Sequence, residues 1–306
     1  MNLYVNYVYV IIFLIMGDIM NKKQIFIVKE NDNLINSLCK FKSDISRNKL
    51  KSYIKYNMVM VNDKIVTKAN YEVKDKDIIT IYYNKTMIDE YDIRVLYEDK
   101  DIIAISKPCG LLSISNDKEK DVTAFRLVRE YVRKNNPNTY LFAIHRLDQE
   151  TSGVLIFGKN ERIKNMLQDN WNDIVKKRGY YAIVNGKLDK DKGTFKSYLK
   201  ENRNGIIYSS KNKDGKLAVT NYKVIRSNNK YSLLDIDIET GRRNQIRVHL
   251  SEYGYPIVGD KKYGSKDKSL KRLGLHAYEL SFIDPRNNKL LAIHDDIPKE
   301  FLDIVK

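Results

Sequence analysis

The chain has 306 residues, with 55 Lys+Arg against 39 Asp+Glu and a formal net charge of +16. At roughly 150 residues per domain this length allows two domains, and 42% hydrophobic residues are enough for a packed core, which excludes a wholly disordered chain. Five prolines and 14 glycines exclude a collagen-like or Pro-rich linker protein. The two cysteines, Cys39 and Cys109, lie far apart and outside any Cys-x-x-Cys pair. Neither a disulfide framework nor a cysteine-based zinc site is expected, and the chain reads as a reduced, intracellular protein. The positive excess points to a polyanionic partner, nucleic acid first, because each neutralised phosphate releases counterions. A solvated Lys-rich surface accounts for the charge equally well.

Residues 1–16 carry no charge. A signal peptide would open on a positive segment and close on a small-residue cleavage site, and neither is present. The run breaks at Gly17-Asp18, short of the roughly 20 apolar residues that a membrane-spanning helix needs. Residues 1–20 are read as an apolar extension arising from a mis-chosen start codon, with a membrane tether as the competing reading.

Residues 21–84 hold 13 Lys/Arg and 7 Asp/Glu. A strand at 25–28 and a helix at 34–41 precede a second helix at 46–56, opened by Ser46 as N-cap. Arg47, Lys51 and Lys55 recur at i, i+4 and i+8 and share one face of it. Short strands at 58–61 and 64–66 are joined by Asn62-Asp63, a hairpin turn pair. Asp75-Lys76-Asp77 then turns the chain into a strand at 78–83. A basic helix face suits an RNA backbone; the charged outer face of a small module explains it as well. The run ISRNKLKSYIKYNMVMVNDKIVTKANYEVKDKDIITI resembles the S-four-type RNA-binding domain, with Asp63 standing where Gly is usual. That resemblance implies that Arg47, Lys51 and Lys55 face RNA.

Residues 85–92 read as a linker. From residue 93 to 306 the pattern is mostly strands, at 93–97, 102–107, 140–144, 154–157, 180–184, 219–225 and 231–238, with amphipathic helices at 122–134 and 162–176. The strands are too irregularly spaced for repeated βαβ units. The expected fold class is α+β: a small N-terminal module, then a larger domain with a mixed, mainly antiparallel sheet and flanking helices.

The chain lacks the His-Glu-x-x-His, P-loop, Gly-x-Gly-x-x-Gly and Gly-x-Ser-x-Gly signatures, and its four histidines (His145, His249, His276, His294) have no metal-ligand spacing. Two segments remain. In the first, an apolar strand ends at His145 and another begins at Val154; between them lies a polar loop with Asp148 two residues after Arg146. Loops on rigid scaffolds often carry function, although an isolated Asp in a loop usually caps a turn. The second runs from Thr240 to Leu250, where three arginines within six residues open a helix after Gly241. It is either a basic face with His249 as a packing residue, or the source of an arginine that pairs with a carboxylate and lowers its pKa by about 1–3 units.

Together these segments resemble the RluA-type family of RNA pseudouridine synthases. His145-Arg146-Leu147-Asp148 through Thr151-Ser152-Gly153 matches its most specific signature, and Lys107-Pro108-Cys109-Gly110 its Lys-Pro-x-Gly element. Tyr180 to Gly186, Gly241 to His249, Gly259 to Gly264 and Leu273 to Ala277 match later elements in order. Asn244 stands where His is frequent, and Ser113-Ile114-Ser115 replaces a His-Pro ending. The resemblance implies that uracil is detached at N1, turned and rejoined through C5. Asp148 would be the essential carboxylate, Tyr180 would stack on the base, and Arg247 would pair with Asp148. Arg146 would hold the opened stack, Lys107 would touch phosphate, and Arg242 would be a further RNA-binding residue. The implied partner is ribosomal or transfer RNA, with no cofactor, no metal and no membrane, for a monomeric cytoplasmic enzyme. Two other readings compete: a non-catalytic RNA-binding or ribosome-assembly protein on the same scaffold, and a nucleosidase that does not rejoin the bond.

Overall fold

The computed structural model describes residues 23–55, 58–82, 93–115 and 123–306. The apolar run at 1–20 and the linker at 85–92 lie outside the described residues. The chain divides into two units, Met1–Tyr91 and Asp92–Lys306.

In the first unit, β1 (Lys23–Ile27) leads through β2 (Asp32–Asn33) into α1 (Leu34–Phe41) and α2 (Arg47–Lys55). Then come β3 (Val59–Val61), β4 (Lys64–Ile65), β5 (Glu72–Val73) and β6 (Ile78–Tyr82). The Asn33 side chain caps α1 by accepting from the Asn36 N–H. Leu34, Leu38, Leu50 and Ile54 recur at helical spacing and are buried against Val59, Val61, Ile79 and Ile81 of the sheet. Each such side chain contributes about 1.5–3 kcal/mol of burial. The sheet runs β1-β6-β3-β4, antiparallel throughout. Asn62 and Asp63 both have positive φ, 48° and 62°, as a two-residue type I′ hairpin requires. Asp63 therefore serves in the left-handed region without the usual glycine.

The second unit contains β7 (Arg94–Glu98), β8 (Ile102–Lys107), α3 (Ala124–Asn135), β9 (Phe142–Ala143), β10 (Ser152–Gly158), α4 (Glu161–Asp169) and α5 (Trp171–Ile174). It continues with β11 (Val175–Asn185), β12 (Lys192–Glu201), β13 (Ile207–Ser209), β14 (Lys216–Ser227) and β15 (Tyr231–Ile238). It closes with α6 (Gln245–Glu252), a 3-10 turn (Lys261–Tyr263), β16 (Leu275–Asp284), β17 (Lys289–His294) and α7 (Lys299–Asp303). The sheet order is β13-β12-β14-β15-β11-β16-β10-β8-β7, with β17 on β16 and β9 on β10. One pair, β10 with β16, is parallel; the expected mixed, mainly antiparallel sheet with flanking helices is what the structure has.

β10 is buried at every residue, so it shows no alternation and packs on both faces. Ile156 and Val154 join Ile163 and Leu167 of α4 in one core, while Val184, Leu234 and Leu275 pack on Ile246 and Leu250 of α6 in another. The expected helix at 162–176 stops earlier. Asn170 caps α4, a single turn follows, and Val175 already begins β11.

At the parallel seam β10 and β16 come so close that a Cβ on Gly153 would lie 2.0 Å from the Ala277 carbonyl oxygen, and Gly153 holds φ +113°. Gly153→Ala should therefore lower unfolding stability by about 3 kcal/mol or more. Urea unfolding followed by circular dichroism checks this, and a loss below the level of an ordinary surface substitution would contradict the tight seam.

Candidate active site

Strand register places the segment that carries Asp148. Lys107 on β8, Gly153 on β10, Ala277 on β16, Tyr180 on β11 and Ile236 on β15 stand in one row across the sheet. The loop carrying Asp148 ends where this row crosses β10, so Tyr180 lies two strands from its exit.

The backbone on either side of Asp148 is clamped. The Ser113 hydroxyl accepts from the Leu147 N–H at 3.0 Å and donates to the Leu147 carbonyl at 2.8 Å. The Gln149 carbonyl accepts from the Gly110 N–H at 2.9 Å and from Lys107 Nζ at 3.0 Å. The Gln149 amide donates back to the Gly110 carbonyl. Ser113 looked from the sequence like a departure from a motif; its single hydroxyl in fact meets both polar groups of the residue before the carboxylate. His145 is neutral and structural. It stacks on Trp171, its Nε2 accepts from the Ile156 N–H, and burial, then the nearby Arg178, pulls its pKa down to about 4.

Lys107 corrects an expectation. It is fully buried and touches no solvent, so it does not reach phosphate. Its Nζ donates to the carbonyls of Pro108 (2.9 Å), Leu111 (2.7 Å) and Gln149 (3.0 Å). Burial pulls its pKa down to about 7, while three converging acceptors match the three N–H bonds of an ammonium.

Arg247 stands beside Asp148 and has a second carboxylate partner. Its Nε and Nη2 fork onto Asp260 Oδ2 and Oδ1 at 2.7 and 2.8 Å, the strong bidentate geometry. Its Nη1 approaches Asp148 Oδ2 only to 3.9 Å and also bonds the Asn244 side chain at 3.3 Å. The main carboxylate partner is thus Asp260, and Asp148 is a looser second. Burial works against the guanidinium, but the bonds to Asp260, with Asp148 adding, raise its pKa above the ordinary value. Its Cζ lies 5.0 Å from the centre of the Tyr263 ring. Asp260 went unrecognised in the sequence, where the Gly259-to-Gly264 element was its only signal. His249 is a packing residue, held between Ser197 and Thr220.

Asp148 keeps 28% side-chain exposure, enough to be reached. Its pKa is raised, not lowered: burial outweighs Arg247 and then Arg146, Arg243 and Lys107, which all favour the ionised form. The Tyr180 phenol is pushed up to about 12 by burial, opposed by Arg178 and reinforced by Asp148.

Asp148, Arg146, Arg243, Arg247 and Arg272 line a cavity of about 880 Å³, within the range of small-molecule sites. Lys261, Lys262, Lys268 and Lys271 form its exposed rim. Asp267 ties this rim to β11 and β15 by accepting from Asn185 and Tyr231, each at 2.9 Å. Tyr180 packs on the core beside the cavity and is not among its lining residues. Neither is Arg242, whose Nε bonds the Leu217 carbonyl; Arg243 takes that place. In the first unit Arg47 and Lys51 are exposed, but Arg47 also bonds Asn36 of α1 at 2.9 Å, and the Lys55 side chain lies outside the described residues. A second cavity, of about 890 Å³, holds Asp99, Asp101 and Asp284, all paired with Arg286, and Lys100, Arg162 and Lys289 beside them supply the remaining positive charge. Among the described residues no group of three or more His, Cys, Asp or Glu is placed to hold a metal ion, and no helix is long and apolar enough to cross a membrane.

The RNA pseudouridylate synthase family matches residues 101–252. The uncharacterized RNA pseudouridine synthase YhcT of Bacillus subtilis is 30% identical over 91% of this chain and 94% of its own length. The ribosomal large subunit pseudouridine synthase D of Borreliella burgdorferi is 34% identical over 69% of this chain and 67% of its own. The human RNA pseudouridylate synthase domain containing 4 shares the fold, with a TM-score of 0.57 and 23% identity over 68% of this chain and 90% of its own. The chain belongs to the RNA pseudouridine synthases, isomerases that convert uridine in RNA to pseudouridine.

Because Arg243 favours the ionised form of Asp148, Arg243→Gln should move the titration of the Asp148 carboxyl to higher pH. Carbon-13 NMR of the labelled side chain measures the midpoint, and an unchanged or lower one would contradict the electrostatics described.

Proposed function

We propose that the chain isomerises specific uridines in structured ribosomal or transfer RNA, with Asp148 as the essential carboxylate. The observation that carries this reading is the placement of Asp148 on a clamped loop, 3.9 Å from Arg247, in a cleft rimmed by cations. The name of the Borreliella relative supports large-subunit ribosomal RNA as the target.

A stacked uracil is out of reach and must be flipped, at a cost of a few kcal/mol. Arg146, exposed at the cleft, holds the opened stack. The rim lysines neutralise the backbone around it. Arg247, fixed by Asp260, orients Asp148 by charge without a hydrogen bond that would cap its reactive oxygen. The ionised Asp148 then attacks C1′ or the base, or takes part in the proton transfer that forms a glycal; each course requires the same carboxylate. Tyr180, beside the cleft, offers its ring for the detached uracil to stack on, and its high pKa keeps the phenol neutral at physiological pH. Arg47, Lys51 and Lys55 of the N-terminal, S-four-type unit supply a second RNA contact.

Asp148→Asn should abolish pseudouridine formation while RNA affinity stays within about threefold. Chemical mapping of pseudouridine in RNA from a deletion strain complemented with the variant reads this, and full modification would refute the assignment. Deleting residues 21–84 should weaken RNA binding in a filter assay and leave the second unit folded. Unchanged affinity would mean that the basic helix face is only solvated.

A further inference from the structure

Arg272 enters the cleft wall from the turn before β16, and two of its three nitrogens are committed. Nε donates to the Leu273 carbonyl at 3.2 Å; Nη2 donates to the Leu275 carbonyl at 3.3 Å and to the Ser152 hydroxyl. Nη1 makes no hydrogen bond among the described residues and approaches Glu300 only to 3.7 Å. Phe301 packs against the guanidinium, 5.4 Å from ring centre to its carbon.

Ser152 sets the direction of this side chain. A guanidinium only donates, so Ser152 Oγ accepts from Arg272, and it shares a second hydrogen bond with His276 Nδ1, 2.7 Å away. The other ring nitrogen of His276 is Nε2. That atom is buried, has no hydrogen-bond partner, and stands 3.6 Å from Asp295 Oδ2. Asp295 is itself held by Arg94 and Ser106, each at 2.5 Å. The chain of contacts thus runs from the cleft wall through β10 and β16 to β8 and β7.

We propose that Arg272 is a binding residue of the cleft, offering its Nη1 edge to an RNA phosphate, and that Ser152 and His276 are positioning residues acting through it. A charged N–H edge matches phosphate oxygens, and a guanidinium tethered on its other two nitrogens loses little freedom on binding. The inference rests on RNA docking in this cleft.

Salt titrations of the full chain on a transcript of large-subunit ribosomal RNA test it. Arg272→Gln should lower the slope of log affinity against log salt by about 1 and weaken binding by about fivefold. Ser152→Ala should reproduce most of that affinity loss, and the double variant should bind no more weakly than Arg272→Gln alone. His276→Asn, whose amide oxygen can accept from Ser152, should stay within about twofold of the unaltered chain, whereas His276→Leu should not. If Ser152→Ala does not fold, the two His276 variants carry the comparison. Additive losses, or normal affinity in Ser152→Ala or in His276→Leu, would overturn the positioning role; normal affinity in Arg272→Gln would overturn the binding role. Arg146→Gln separates the levels: weakened binding there with an unaffected Arg272→Gln sinks this inference alone, and no change in either sinks the cleft as the docking site.

Discussion

A buried ammonium holds the site together. Lys107 Nζ lies where the Lys-Pro-Cys-Gly turn meets the loop that carries Asp148, and three carbonyls close on it. Taking a charge out of water costs several kcal/mol, and the three acceptors offset that cost only while the turn and the loop keep their present spacing. The same spacing lets Gly110 and Gln149 exchange hydrogen bonds and lets Ser113 grip Leu147. Asp148 is thus positioned through its neighbours' backbone, and its own carboxylate stays partly exposed.

Electrostatics follow the same division of labour. Arg247 directs its fork to Asp260, which is nearly fully buried, and only a flank to Asp148. A bidentate pair at Asp148 itself would satisfy its oxygens and stabilise the carboxylate before any reaction. At 3.9 Å the guanidinium still lowers the energy of the ionised form, yet burial prevails and the carboxyl remains more basic than an exposed one. A more basic carboxylate is the better nucleophile or proton acceptor, provided that it stays ionised at working pH.

The sequence made the outline of the fold legible because short-range signals govern it. Helix 34–41, the Asn62-Asp63 hairpin and the strands at 102–107 and 231–238 stand where alternation, capping and turn chemistry put them. β12, β13, β16 and β17 were not read as strands. β12 has Lys196, Ser197 and Tyr198 between its two buried apolar residues, Phe195 and Leu199, so its apolar face is two residues wide. β16 is nearly continuously buried and lacks the alternation that marks a half-exposed strand. In the site, the motif around Asp148 was visible, whereas Lys107, Asp260 and Ser113 took their roles from contacts between segments far apart in sequence. A lysine after an apolar strand reads as a surface residue until the carbonyls that surround it are known.

The position of β16 in the sheet has a consequence for how the enzyme comes into being. It lies between β11 and β10, so strands made earlier stay as two separate ribbons until residues 275–284 emerge from the ribosome. Arg247 can meet Asp148 only once those ribbons are joined. Before that strand pairs, each ribbon carries an open strand edge, the kind of edge that invites pairing with another chain. A single late strand thus joins the two halves of the sheet.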